Sequence, residues 1–220
     1  MIRGAQRPPS DGEDELLTLI LAGGQSRRMG GGDKTLLPLG GKPMLSHILE
    51  RLEGQSARTI LNANGNPERF SGFGLPIIPD SIAGFGGPLA GILTGMLHAR
   101  QFFPQVRSIV SVAADTPFFP RDLIARMKAA VPRDKPVIAL ATSSDRLHPV
   151  FGLWPVELAD DLAFWLASGQ NGKVLAWVDR HDSIEIDFGP DPLTGLDPFF
   201  NANRPEDLET ARQALSQATA

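Results

Sequence analysis

The sequence predicts an α/β protein built as three layers, α/β/α, with helices on both faces of a mostly parallel sheet. Three observations carry that expectation. Leu16-Leu17-Thr18-Leu19-Ile20-Leu21 and Ser108-Ile109-Val110-Ser111-Val112-Ala113-Ala114 are short, aliphatic and uncharged, as strands buried on both faces are. Segments with apolar residues at helical spacing alternate with strand-like runs, the pattern of βαβ units. Glycines or polar residues stand at the carboxyl ends of those runs, where open α/β sheets bind ligands.

The first run opens into Leu21-Ala22-Gly23-Gly24-Gln25-Ser26-Arg27-Arg28-Met29-Gly30-Gly31-Gly32-Asp33-Lys34. Glycine lets main-chain N–H groups approach an anion closely, and Arg27, Arg28 and Lys34 add positive charge. A buried strand followed by such a loop is a common way to build a phosphate site. A Walker A loop is excluded, because Asp33 rather than glycine precedes Lys34. No window supplies Gly-x-Gly-x-x-Gly, so a dinucleotide-binding oxidoreductase is excluded too. A flexible surface loop is the plainer alternative, but linkers rarely follow a buried strand directly with three cations.

Gly40-Gly41-Lys42-Pro43 marks a turn, with Pro43 expected in the first turn of a helix that packs through Met44, Leu45, Ile48, Leu49 and Leu52. Residues 58–64 read as a second strand ending at Asn62-Ala63-Asn64. Asn62 is either a turn former or a ligand contact at a strand end. Residues 75–80 read as a third strand, whose terminal Asp80 could cap the next segment. Pro88 starts a helix running to about Arg100, with Gly86 and Gly87 before it allowing close backbone approach. The strand at 108–114 ends at Asp115-Thr116-Pro117. A carboxylate there is costly unless paired or metal-bound; a capping role before Pro117 is the alternative.

Residues 120–130 form an amphipathic helix, with Leu123, Ile124 and Met127 inward. Residues 137–141 and 148–154 are further strands, and 159–167 a helix packing through Leu162, Phe164, Trp165 and Leu166. Residues 183–188 alternate like a half-buried strand. Asn203 is a helix N-cap candidate with Pro205 in the first turn, and Leu208, Ala211 and Leu215 share one face of the last helix. The chain reads as a loose tail over residues 1–15 and one domain over 16–220.

The fourteen residues from Leu21 to Lys34 resemble the Leu-Ala-Gly-Gly-x-x-x-Arg-Met-Gly-x-x-Asp-Lys motif of the molybdenum cofactor guanylyltransferases, part of a wider nucleotidyltransferase group. Gly87-Pro88-Leu89-Ala90-Gly91, Asp115-Thr116-Pro117, His148-Pro149 and the close Asn201-Ala202-Asn203-Arg204-Pro205-Glu206-Asp207-Leu208 extend the resemblance over residues 16–208. It implies a Rossmann-like nucleotidyltransferase topology and transfer of GMP from GTP to the terminal phosphate of molybdopterin, releasing pyrophosphate. It further implies that Leu21, Ala22, Gly23, Lys34, Asn62, Asp80 and Asp115 line the nucleotide. Arg27, Lys34 and Asp115 would serve catalysis, with Mg²⁺ on Asp115. Arg27, Lys173, Asn201 and Asn203 are candidates for the pterin. His148 is read as structural or substrate-contacting rather than as a general base.

Alternatives within the group are a cytidylyltransferase for the same pterin or a sugar-phosphate nucleotidyltransferase. Those relatives begin Leu-Ala-Ala-Gly, where this chain has Gly23, and Gly32-Asp33-Lys34 also favours guanine. A GTP-binding module without catalysis is the alternative from another class.

Composition bounds the rest. The 220 residues are 42% hydrophobic and 21% charged, with a formal net charge of −4. That is ordinary for a globular domain and argues against a nucleic-acid partner. With no cysteine, disulfides, thiolate metal sites and a cysteine nucleophile are excluded. No apolar run approaches the ~20 residues that span a bilayer. The first fifteen residues lack an apolar signal core, so a cytoplasmic enzyme without membrane contact is expected. Proteins that deliver the cofactor or mature molybdoenzymes are possible partners.

Overall fold

The computed structural model describes residues 16–22, 33–82, 87–170, 172–202 and 204–218. The tail at 1–15, Gly23, Arg27, Gly86 and Asn203 lie outside the described residues. In chain order the elements are β1 (Leu16–Leu21), a 3-10 turn (Lys34–Leu36), β2 (Pro38–Leu39), β3 (Lys42–Pro43), α1 (Met44–Leu52), β4 (Thr59–Asn62), a second 3-10 segment (Pro67–Phe73) and β5 (Ile77–Ile78). There follow α2 (Pro88–Phe102), β6 (Ser108–Ala113), α3 (Leu123–Ala130), β7 (Ile138–Ser143), β8 (Arg146–Pro155), α4 (Ala159–Ala167), α5 (Val174–Val178), β9 (Ser183–Asp187) and α6 (Pro205–Ala218).

Seven strands form one sheet in the order β5-β4-β1-β6-β8-β7-β9. All run parallel except β8, which is antiparallel to both β6 and β7. Alternation along β1 shows how the sheet is sandwiched. Leu16 and Ile20 face one core with Leu45 and Ile48 of α1 and Leu123 and Met127 of α3. Leu17 and Leu19 face the other, with Ile92 and Met96 of α2, Leu162 of α4 and Trp177 of α5. Thr18, fully buried, donates its hydroxyl proton to Ser56 Oγ at 2.7 Å, which satisfies the polar group among aliphatic neighbours. The β2–β3 ribbon and α6 close one end through Leu39 and Ala211 and through Met44, Ala202 and Leu208.

The expected layers and mostly parallel sheet are present, with local differences. The third strand shrinks to Ile77–Ile78, because Pro76 and Pro79 lack the N–H that would extend the ladder. Pro43 is not in the first turn of α1. It is the N-cap, extended at φ −56° and ψ 147°, and pairs within β3 against Pro38. The helix expected from residue 120 begins at Leu123, whose N–H donates to the Pro120 carbonyl at 3.2 Å in a turn. Phe164 does not pack inward; it is 72% exposed, on the opposite side of α4 from Leu162 and Leu166.

Candidate active site

Strand register places the functional side chains. Leu21, the last residue of β1, pairs with Asn62 on one side and Ala113 on the other, while Asn62 pairs with Ile78. Four parallel strands therefore end level, on the carboxyl edge where the following loops and helix N-termini gather. Ala22 N–H donates to the Asn62 carbonyl at 2.9 Å, and Ala114 N–H to the Leu21 carbonyl at 3.0 Å.

Asn62 is 2% exposed. Its Nδ2 donates to the Ile78 carbonyl at 3.1 Å and to Asp80 Oδ1 at 2.9 Å. Asn64 Nδ2 donates to the other Asp80 oxygen at 2.7 Å, and Asp80 N–H returns a bond to Asn64 Oδ1 at 2.9 Å. Thus Asp80 is locked to two asparagines at the ends of β4 and β5. Helix α2 presses onto this corner: a Cβ at Gly91 would come within 2.4 Å of both Asn62 Oδ1 and a Leu21 methyl. Only glycine fits there. Gly87, at φ 116°, ends the loop before Pro88.

On the other side of β1, Lys34 opens the 3-10 turn after the glycine-rich loop, and Asp33 caps it by accepting from Thr35 N–H at 3.2 Å. Lys34 Nζ reaches Asp115 Oδ2 at 3.8 Å. Asp115 stands two residues past the end of β6, with its side chain 26% exposed. Burial pushes its carboxyl above the usual range, while Lys34, the Asn201 side chain and Thr116 pull it down. Ala202 N–H donates to the Asp115 backbone carbonyl at 3.0 Å, so the segment before α6 is tied to the main chain at Asp115. Lys173 is exposed at the start of α5; the adjoining Gly172 carbonyl lies 4.0 Å from where a Gly87 Cβ would stand, beside the start of α2.

His148 belongs to a chain of hydrogen bonds at the end of β7. Ser143 Oγ donates to Asp197 Oδ2 at 2.7 Å, leaving it to accept from His148 Nε2 at 2.7 Å. The imidazole stacks on Phe199, with centroids 4.4 Å apart. Burial lowers its pKa, Asp197 opposing. With its Nε2 proton committed to Ser143, His148 is an anchor for the 197–202 segment.

The edge thus brings together Leu21, Ala22, Lys34, Asn62, Asp80 and Asp115, with Asn201 and Gly172-Lys173 at its margin. Sequence reasoning missed Arg69 and Gly91. Gly91 stood in the quoted Gly-Pro-Leu-Ala-Gly stretch, but Gly86 and Gly87 drew the attention. Arg69 carried no motif. A groove of about 1280 Å³ lies elsewhere, at the opposite edge of the sheet, lined by Leu16, Ser108, Val137, Pro155, Arg107 and Arg133. Among the described residues no three His, Cys, Asp or Glu side chains cluster as a metal cage. A lone carboxylate such as Asp115 would suit a hard divalent cation that keeps several of its waters.

Comparison with known proteins settles the family. The model of the MobA-like NTP transferase domain matches residues 18–184. The chain belongs to the MobA-like NTP transferase family. It is 49% identical over 206 residues to a molybdenum cofactor guanylyltransferase of Mesorhizobium japonicum, covering 93% of this chain and 98% of that one. A protein of the same name from a Bradyrhizobium species is 46% identical, with 89% and 91% covered. The crystal structure of molybdopterin-guanine dinucleotide biosynthesis protein A from Archaeoglobus fulgidus superposes with a TM-score of 0.69 at 25% identity, covering 90% of this chain and 98% of that one. As a MobA-like transferase, the chain begins its Leu-Ala-Gly-Gly motif at Leu21, the last residue of β1, and has its Asp-Thr-Pro turn after β6.

Proposed function

We propose that this nucleotidyltransferase transfers GMP from GTP to the terminal phosphate of molybdopterin, giving the guanine dinucleotide and pyrophosphate. The observation that carries the reading is the meeting of Lys34 and Asp115, 81 positions apart in sequence, at the same sheet edge as Asn62 and Asp80. Relatives named for this reaction cover nearly the whole chain at close to half identity.

In this reading Leu21, Ala22, Gly23, Asn62 and Asp80 hold the nucleoside. The Asp80 carboxylate, held by the Asn62 and Asn64 amides, offers fixed acceptors, which discriminate between bases better than apolar contact does. Lys34, with Arg27, places positive charge where the leaving pyrophosphate gathers negative charge. Asp115 would hold Mg²⁺, which supplies charge neutralisation at the phosphates. An acceptor phosphate oxygen forms a bond to the α-phosphorus, and the bond to the β-phosphate bridging oxygen breaks with its electron pair. No side-chain nucleophile is required, so the residues act by position and electrostatics. In this reading Asn201, hydrogen-bonded to Asp115, and Lys173 serve the acceptor, with Arg27 and Asn203 as further candidates.

No described helix is long and apolar enough to cross a membrane. The reading assigns the reaction to the cytoplasm, with proteins that deliver or receive the cofactor as partners. The test is pyrophosphate release with molybdopterin and each of the four nucleoside triphosphates. Release with GTP alone supports the reading. Release with CTP points to a cytidylyltransferase, release only with a sugar phosphate to that branch, and GTP binding without release to a non-catalytic module.

A further inference from the structure

We propose that Arg69 is a positioning residue that fixes the distance between the two halves of the nucleotide site. This rests on the reading above, in which Lys34 serves the phosphates and Asn62 with Asp80 serves the nucleoside. Those halves come from different stretches of chain, one after the glycine-rich loop and one after β4 and β5. The guanidinium of Arg69 joins them. Its Nε donates to Asp33 Oδ2 at 2.8 Å, its Nη2 to the Asn64 carbonyl at 2.7 Å, and its Nη1 to the Asn66 carbonyl.

Each end of this clasp leads directly to a site residue. The other Asp33 oxygen caps the turn that opens with Lys34. The Asn64 side chain grips Asp80 through two hydrogen bonds, and Asp80 holds Asn62. An unbroken path of hydrogen bonds therefore runs from the Lys34 turn to Asn62, with Arg69 as its middle link. Phe70, fully buried in the core, anchors the segment, and the Arg69 guanidinium lies 4.5 Å over its ring. The planar fork of arginine presents donors from three separate nitrogens in a fixed plane, and the single nitrogen of lysine cannot span the same three acceptors. The pair with Asp33 is 29% and 18% exposed, where ion pairs add little to stability; its consequence is geometric.

Arg69→Lys and Asp33→Asn test this in the full-length enzyme, with KM and kcat measured for GTP and for molybdopterin separately. Arg69→Lys should raise KM for GTP about tenfold, as expected for losing charge-assisted hydrogen bonds that preorganise a site. KM for molybdopterin and the melting temperature should stay near wild type. The double variant should be no worse than the poorer single one, because both break the same link. An unchanged KM for GTP, an equal rise for both substrates, or multiplying effects in the double variant would overturn the proposal. If no nucleoside triphosphate is turned over, the GTP-induced rise in melting temperature is compared instead. A rise present in wild type and lost in Arg69→Lys upholds the clasp while the transfer reading falls; an equal rise in both, or none in either, ends the clasp as well.

Discussion

Two cation–carboxylate pairs in this protein look alike in sequence and differ in almost every physical respect. Arg51 Nη1 and Asp191 Oδ2 lie 2.6 Å apart, with side chains 9% and 1% exposed. The other Asp191 oxygen accepts from Leu193 N–H at 3.1 Å and from the Thr194 N–H and hydroxyl at 2.9 Å each. Burial pushes the Asp191 carboxyl up, but Arg51 and Thr194 outweigh it and hold the group below its usual range. Lys34 and Asp115 stand 3.8 Å apart and remain partly exposed; Thr116 Oγ1 reaches Asp115 only at 3.4 Å. There burial prevails and the carboxyl sits above its usual range. A buried carboxylate whose partners are all internal serves the fold. A loosely held one, kept at some energetic disadvantage, can be satisfied by a ligand and its ion.

The sharpest way to break the comparison is Arg51→Ala. It strands a buried carboxylate and should destabilise the protein by about 3–5 kcal/mol, read from denaturant unfolding. Kinetics at low temperature should survive. Asp115→Asn should do the reverse. Turnover should fall by about 10²–10³-fold, the scale for removing one group that stabilises transition-state charge. The melting temperature at neutral pH should hold or rise, because folding raises this carboxyl's pKa and so disfavours its ionised form. A fall in stability with turnover retained would invert the assignment of the two pairs.

Acid sharpens the same contrast. With the Asp191 pKa lowered by folding, its stabilisation is complete above the unfolded carboxyl pKa of about 3.9. It is lost as pH falls through the folded value, where the unfolded chain already binds the extra proton. Melting temperatures measured downward from pH 5 should therefore drop more steeply in wild type than in Asp191→Asn. The smallest effect belongs to Phe164→Ser, within about 0.5 kcal/mol of wild type, since that ring is mostly in solvent.

The sequence was most legible where burial dictated it. The aliphatic runs of β1 and β6 and the helices between strands could take few other forms, and the motif residues fell at strand ends. Direction was less legible. The β7–β8 hairpin turns at Ser144 and Asp145, with φ of 47° and 59°, a two-residue turn usually announced by glycine. Without that signal, the antiparallel run of β8 could not be told from its parallel neighbours. Phe164 was misplaced because α4 is apolar on more than one side, leaving periodicity little to discriminate. Arg69 was illegible because its role depends on three acceptors that only the fold assembles.

The two sheet edges give the most direct test of where the chemistry lies. The amino edge has the roomy groove, with charges paired as in Arg100 with Asp160 and Lys135 with Asp182. Among the described residues, the carboxyl edge gathers Lys34, Asp115, Asn62 and Asp80. A crystal structure with a non-hydrolysable GTP analogue and Mg²⁺ decides between them. The triphosphate should lie beside Lys34 and Asp115, with guanine toward Asn62 and Asp80. A nucleotide seated in the groove near Arg107 and Arg133 would contradict the account.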